Sequence, residues 1–379
     1  MTSENEFPWS QASVADVIVQ KRGSQIRKLP TSEYFQSGKL PIIDQGADII
    51  CGYTDNVGAA YPYDLPVIVF GDHTRVLKYI DFPFVVGADG TQCLQPSKQL
   101  NPRFFYYALT AINLQSEGYA RHFKLLKEKH ISFPGIDEQQ RIAEVLRSVD
   151  DTIAASVAVT DRTNSLLNAF LSDTFSEKDG TGTERCMFPI EDMLDRIIDY
   201  RGVAPPKSDK GVPLITARNV RFGYLVEEPR EFIAEEAYDS WMRRGIPMAG
   251  DILFTTEAPL GFVAEFPPYK AALGQRTITL VPKLDRLDRK YLKWLLLSPP
   301  AQATIHRHAT GSTAKGIKQS TFRKLQFKFH SLEKQIEIGT YCSSLAEAVT
   351  RSRESVSQLR RVKARLLKDL LSGGVRVPK

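Results

Sequence analysis

The sequence predicts an α+β protein: two similar globular α/β modules separated by an antiparallel coiled coil of two long helices, with a pseudo-two-fold internal repeat. Three observations carry this. The stretch from Phe133 to Phe175 returns, degenerate but without a gap, as Phe329 to Leu371, at a constant offset of 196 residues. That offset pairs Gln139 with Gln335, Ile142 with Ile338, Ile153 with Val349 and Asp173 with Asp369. Both copies carry apolar or small residues at an alternating three–four spacing, the seam of a coiled coil. The segments ahead of them share a pattern of short β-rich runs closed by Gly, Pro and Asp. A repeat this long is not a solenoid unit; it is a duplicated domain with its helix.

Residues 1–135 form the first module. Leu65 to Phe70 and Phe82 to Val86 read as short strands, and Asn101 to Leu114 as a helix with proline at its start. Residues 136–175 form the first long helix, with Asp137 and Glu138 where the helix dipole favours negative charge. Its partner-facing residues are Gln139, Ile142, Leu146, Val149, Ile153 and Leu167. Residues 176–184 are a polar, glycine-containing linker. Residues 185–331 repeat the first module: Val212–Ile215 echoes Leu40–Ile43, and Asp251–Phe254 echoes Val67–Phe70. Arg276–Pro282 likewise echoes Gly90–Pro96, and Arg289–Leu297 stands where Arg103–Thr110 stood. Residues 332–372 form the second long helix, with Gln335, Ile338, Leu345, Val349, Val356, Leu359 and Leu366 facing the partner and Gly373-Gly374 following.

Each helix is about 58 Å long. Neither module is large enough to bury that length, and the small and polar seam residues leave each helix weak alone. Mutual packing is the solution, and an antiparallel pair closes with pseudo-two-fold symmetry.

At 379 residues the chain holds two or three domains. With 42% apolar and 25% charged residues it can bury a sizeable core. A net charge of +6 permits a polyanionic partner without demanding one. Cys51, Cys93, Cys186 and Cys342 are scattered with no C-x-x-C pair, which argues against zinc and for a reducing compartment. The start MTSENEFPWS is no signal peptide, and no apolar run approaches the roughly 18 residues of a membrane span. The expectation is a cytoplasmic protein without a membrane role.

Catalytic signatures fail in instructive ways. The run 311–316 (GSTAKG) is followed by Ile317 and Lys318, where a phosphate loop needs Lys and then Ser or Thr. Phe266-Pro267-Pro268-Tyr269 lacks the Asn or Asp with which the adenine-N6 methyltransferase tetrapeptide holds its base. No G-x-S-x-G or H-E-x-x-H is present, and His306 and His308 lie two apart, unlike a common zinc pair. No catalytic residue, metal site or cofactor is expected in this chain.

The opening of the first long helix is P-x-x-x-E-Q-x-x-I: Pro134, Glu138, Gln139 and Ile142, with Asp150 or Asp151 further on. The second module carries Val212-Pro213-Leu214-Ile215-Thr216 and Gly250-Asp251-Ile252-Leu253-Phe254. With these elements, nearly the whole chain resembles the specificity subunit of type I restriction–modification enzymes. The second copy departs at His330 and Lys334 but keeps Gln335. The resemblance implies that each module is a target recognition domain reading one half of a split sequence in double-stranded DNA. It implies that the paired helices set the spacer and dock two methyltransferase subunits. S-adenosylmethionine, ATP and Mg would belong to partner subunits, with ATP-driven restriction subunits as further partners. The chain would be non-catalytic. The alternative is an assembly scaffold whose two modules bind proteins.

Base readout draws on Arg, Lys, Asn, Gln, Ser and Thr presented on loops. The candidates are His73 and Arg75, then Arg121 and Lys124, in the first module. In the second they are Thr216, Arg218 and Asn219, then Arg307, Lys315 and Lys318. For each loop the alternative is solvated surface charge. Residues 351–368 carry seven Lys or Arg against one acid, Glu354. That run is either a solvated face or a contact for DNA phosphates or an acidic protein surface.

Overall fold

The computed structural model describes residues 9–19, 26–115, 121–176, 185–200, 202, 204–311 and 315–377. Most of the expected linker (177–184) and residues 312–314 of the glycine-containing loop lie outside the described residues. The chain divides into two compact units, residues 1–156 with 355–379 and residues 157–354.

In the first unit, Leu40–Ile43 pairs antiparallel with Gly52–Thr54 and parallel with Val85–Val86, Ile42 lying opposite Val85. Val67–Gly71 pairs antiparallel with both Leu77–Ile80 and Thr91–Leu94. Every residue of Val67–Gly71 is buried, because the strand has a core on each face. Ile68 and Phe70 join the main core under the helix Pro102–Ala111. Val67 and Val69 face a smaller core with Ile43, Phe84 and Val86. Of the expected strand Phe82–Val86 only Val85–Val86 pairs, since Pro83 has no N–H for a ladder. Ser10–Ser13 pairs with His130–Phe133 at the foot of the first long helix.

The second unit repeats this plan. Val212–Ile215 runs parallel to Ala272–Leu273, with Leu214 opposite Ala272. Ile252–Thr255 lies between Val263–Glu265 and Thr277–Pro282. Ile252 and Phe254 enter the main core with the helix Arg289–Leu297, while Leu253 faces the smaller one. Cys186–Pro189 pairs with Gln326–Phe329 as Ser10–Ser13 does with His130–Phe133. The strand Leu194–Asp199 pairs with Thr277–Pro282, and its first pairing, Leu194 with Pro282, repeats the bridge of Ile18 to Pro96 in the first unit.

The long helices are Ile136–Thr174 and Leu332–Leu371. Within the first unit they run antiparallel: Glu138 pairs with Arg376 at 2.6 Å and Asp150 with Lys363 at 2.6 Å. They do so within the second as well, where Thr160 Oγ1 meets Ser352 Oγ at 2.6 Å and Phe170 packs edge-on against Tyr341. Ile142, Leu146, Leu167, Ile338, Val349 and Val356 are buried, and Val149, Ile153, Leu345, Leu359 and Leu366 are half-buried. Cys342, fully buried, is a seam residue that the sequence reading passed over. The unit boundary cuts both helices because each core takes residues from both. Ile142, Leu146 and Leu370 complete the first core; Leu167, Leu171, Ile338 and Cys342 complete the second. No helix among the described residues is long and apolar enough to cross a membrane.

Two expected seam residues do something else. Gln139 does not face the partner helix. It is 1% exposed, its Nε2 donates to the carbonyls of Gln99 and Pro134 (3.0 and 2.9 Å), and its Oε1 accepts from Asn101 N (2.8 Å). Gln335 repeats the arrangement, with Nε2 on the carbonyls of Arg286 and His330 and Oε1 on Asp288 N. Asn101 and Asp288 in turn cap the helices Pro102–Ala111 and Arg289–Leu297. Each glutamine therefore fastens the first turn of a long helix to its own module. Asp150, not Asp151, adds a second tie by accepting from Tyr107 Oη at 2.8 Å.

The copies differ beneath this clamp. Where the first has Phe104 and Pro134, the second has Tyr291 and His330, joined at 2.8 Å between Tyr291 Oη and His330 Nδ1. The departure at His330 is thus matched by its neighbour, through a hydrogen bond that the first copy's phenylalanine and proline cannot make. Burial, with Arg185 and Lys334 nearby, lowers the His330 pKa from 6.5 to about 4.

Two outcomes follow from these contacts. Gln139→Leu and Gln335→Leu each strand one buried N–H and two carbonyls, so each should lower stability by about 2–4 kcal/mol in denaturant unfolding. The His330 shift means that the unfolded chain takes up a proton first as pH falls. Stability from this site is complete above about 6.5 and is lost towards pH 4, by about 3 kcal/mol. The double substitution Tyr291→Phe, His330→Pro should flatten that part of the pH–stability curve.

Candidate nucleic-acid interface

In the first unit, four loop segments meet at the strand ends. Asp72 N donates to the Gly90 carbonyl at 2.7 Å. His122 N donates to the Asp72 carbonyl at 2.9 Å, and Phe123 N to Asp72 Oδ1 at 2.7 Å. Gln45, on the fourth segment, ties two of these together, accepting from His73 N and donating to the Asp89 carbonyl, both at 3.2 Å. The segments that carry His73 and Arg75 and those that carry Arg121 and Lys124 are therefore brought together. Arg121 and Lys124 are exposed and His73 is half-buried. Arg75 is half-buried, and its Nη1 holds the Leu114 carbonyl at 2.7 Å.

The second unit builds the same junction. Thr256 N donates to the Arg276 carbonyl at 3.1 Å, and Ile317 N to the Thr256 carbonyl at 2.9 Å. Thr256, Arg276 and Ile317 thus take the places of Asp72, Gly90 and His122. Lys315 and Lys318, both exposed, flank this crossing. Arg307, exposed at the end of the helix Pro299–Arg307, is linked to it by the paired backbone bonds of Thr310 and Gly316.

The Thr216 loop abuts the strand that leads to Arg276. Gly274 N donates to the Ile215 carbonyl, and a Cβ on Gly274 would meet Thr216 Cγ2 at 2.7 Å. Within that loop the three candidates separate. Arg218 is exposed, with an ion pair to Glu231 at 3.6 Å. Thr216 is half-buried, and its N and Oγ1 both bond Asn219 Oδ1. Asn219 is 6% exposed, and its Nδ2 donates to the carbonyls of Val226, Glu227 and Pro229. Its amide is spent on shaping the loop and does not reach outward.

Sequence reasoning missed Arg276. It has a left-handed backbone (φ 66°) where the first copy has Gly90 (φ 86°). The exchange is reciprocal: Arg75 (φ 62°) stands where the second copy has Gly261 (φ 82°). Arg75 N and Gly261 N close equivalent hairpins onto the carbonyls of Gly71 and Thr255. Both positions demand a conformation that glycine adopts at no steric cost and other residues do not. Each copy gives one position to glycine and the other to arginine. The signal was present in the offset of 186 residues common to both pairs. Arg276 is 59% exposed, with Nε 3.4 Å from Glu257. Among the described residues no group of three or more His, Cys, Asp or Glu could hold a metal ion.

The architecture defines a class: an α/β module built twice, each copy fastened to the first turn of a long helix and carrying a basic loop junction. Residues 8–159 match the family model for the type I restriction modification DNA specificity domain. The chain is 22% identical over 274 residues to the type I restriction enzyme MjaVIII specificity subunit of Methanocaldococcus jannaschii, covering 67% of this chain and 64% of that protein. It is 21% identical over 364 residues to the EcoR124I/EcoR124II specificity subunit of Escherichia coli, covering 89% and 88%. Its fold is similar to the crystal structure of a type I restriction–modification S subunit from M. genitalium, with a TM-score of 0.65, 15% identity and 98% of each chain covered. The chain is thus similar to type I specificity subunits, and its residues 8–159 to their DNA specificity domain. Its match spans just under two thirds of the length of MjaVIII and of a second M. jannaschii relative, 64% and 65%.

Proposed function

We propose that this chain is the sequence-specific DNA-binding subunit of a type I restriction–modification complex. Each module reads one half of a bipartite target in double-stranded DNA. The long helices set the number of unread base pairs and dock two methyltransferase subunits. S-adenosylmethionine chemistry, and ATP and Mg where a restriction subunit joins, are supplied by those partners; this chain supplies the address. The observation that carries the reading is the loop junction built twice, each time with one left-handed arginine among exposed cations. A protein that reads two unlike half-sites needs one scaffold bearing two differently decorated loop sets.

In the second module, Arg276, Lys315, Lys318 and Arg218 are the contacts proposed to matter most. Arginine is the side chain best suited to a guanine edge, and the lysines suit phosphates. Arg276→Gly installs the residue of the first copy, so it removes the side chain and relieves the backbone together. Thermal stability should hold or rise slightly. Affinity for a duplex carrying the target, measured by gel shift with the methyltransferase present, should fall about 5- to 100-fold. Unchanged affinity in a wild type that does bind removes Arg276 from the reader set. A wild type that binds no DNA over a salt series, with or without methyltransferase, removes the proposal itself and leaves the scaffold reading.

Helix length gives a second test. Successive major-groove faces on one side of DNA lie about 34–36 Å apart. Inserting one heptad into both long helices adds about 10 Å to each. Methylated sites mapped by sequencing should keep both half-sites and gain spacer; an unchanged spacer counts against the ruler role.

A further inference from the structure

The loop junction of the second unit carries one acid among its cations. Three segments cross there, 255–261, 274–277 and 310–318, and their charged residues are Arg276, Lys315, Lys318 and Glu257. Glu257 lies at the crossing itself. It is bridged to Gly316, where an added Cβ would come within 3.2 Å of Glu257 Cβ and 3.3 Å of the Thr256 carbonyl. The missing side chain at 316 lets the two segments close. Among the described residues three other than glycine have a left-handed backbone, and two of them adjoin this carboxylate. Ala258 (φ 44°) is its neighbour in sequence, and Arg276 (φ 66°) sets Nε 3.4 Å from Glu257 Oε1. Strain of this kind persists only where the surroundings impose it, and it clusters at binding sites. The Glu257 side chain is nevertheless 49% exposed, so the carboxylate is fixed at its root and open at its tip. At the matching position the first copy has His73.

We propose that Glu257 is a specificity-determining residue of the second module: its carboxylate accepts a hydrogen bond from a base amino group in the major groove, beside the base that Arg276 reads. The inference deepens the DNA-binding reading above and rests on it. An acid at this place repels phosphates, so it lowers affinity for DNA of every sequence. Arg276, Lys315 and Lys318 supply the attraction; what Glu257 adds is selection. A carboxylate has acceptors only, and the amino groups of cytosine and adenine are the donors in the major groove, cytosine N4 being the better matched. An edge that presents guanine O6 or thymine O4 instead sets acceptor against acceptor and leaves both unpaired. Arg276 has the opposite preference. The two side chains therefore select a donor and an acceptor on adjoining edges. Their exposed ion pair is weak enough to part when DNA arrives.

The probes are a duplex carrying a methylated site mapped by sequencing and two duplexes in which one or the other half-site is scrambled. Binding of the full chain is measured by gel shift with the methyltransferase present. Glu257→Ala, its fold checked by thermal unfolding, should lower the ratio of target to scrambled affinity about 5- to 100-fold at one half-site and leave the ratio at the other unchanged. Affinity for the scrambled duplexes should hold or rise, because a negative charge has gone. The fall should persist when Glu257→Ala is made in an Arg276→Gly background. Unchanged ratios, equal loss at both half-sites, or a fall that vanishes in that background overturn the direct contact. If the wild type binds its target, any of those results leaves the DNA-binding reading standing; a wild type that binds no duplex removes both.

Discussion

The rest of the structure depends on how each long helix is fixed to its module in its first turn. A helix of this length amplifies any error at its root, so the root must be held in rotation as well as in position. Gln139 and Gln335 do this with a single amide each, donating to two carbonyls and accepting from one backbone N–H. Glutamate would offer only acceptors there and lysine only donors. Glutamine alone has both on a side chain of this length. Because the partners are backbone groups at a helix cap, the clamp fixes the module's helix and the long helix in one step. The rotation so fixed directs Ile142 and Leu146, or Ile338 and Cys342, into the cores.

Those cores are not complete without the other long helix. Leu370 enters the first core from the second helix, and Leu167, Leu171 and Phe175 enter the second core from the first. Each core is thus walled by segments of both long helices. This explains how a seam can afford Thr160, Ser352 and half-buried small residues along its length. The apolar burial that stabilises the pair is concentrated where each helix meets a module.

Much of this was legible in the sequence, and the illegible parts have physical reasons. Three–four periodicity reports which face of a helix is buried, so it found Ile142, Leu146, Val349 and Val356. It does not report what buries that face, so Gln139 and Gln335 looked like seam residues although their partners are backbone groups of their own modules. Pattern also gave no warning that Asn219 is consumed inside its loop, because an asparagine that shapes a turn and one that reads a base occur in the same polar stretches. Cys342 was passed over although it sits one turn beyond Ile338 on the buried face. Arg276 was hidden because φ is not written in a sequence; only alignment of Arg75 with Gly261 and of Gly90 with Arg276 exposes it. The departure at His330 stood alone in the sequence; only the structure shows that Tyr291, in place of Phe104, meets it.

The left-handed arginines are not equivalent. An L-residue in that conformation costs roughly 1–2 kcal/mol relative to glycine, so folding alone would favour glycine at both positions of both copies. Arg75 recovers part of that cost, since its half-buried guanidinium holds the Leu114 carbonyl and with it the chain after the module's helix. Arg276 has only an ion pair to Glu257 in which both side chains are largely exposed, 59% and 49%, and such a pair contributes little. In the first copy, then, the strain has a structural return. In the second, among the described residues, only that exposed ion pair offsets it, so the strain there has little structural return.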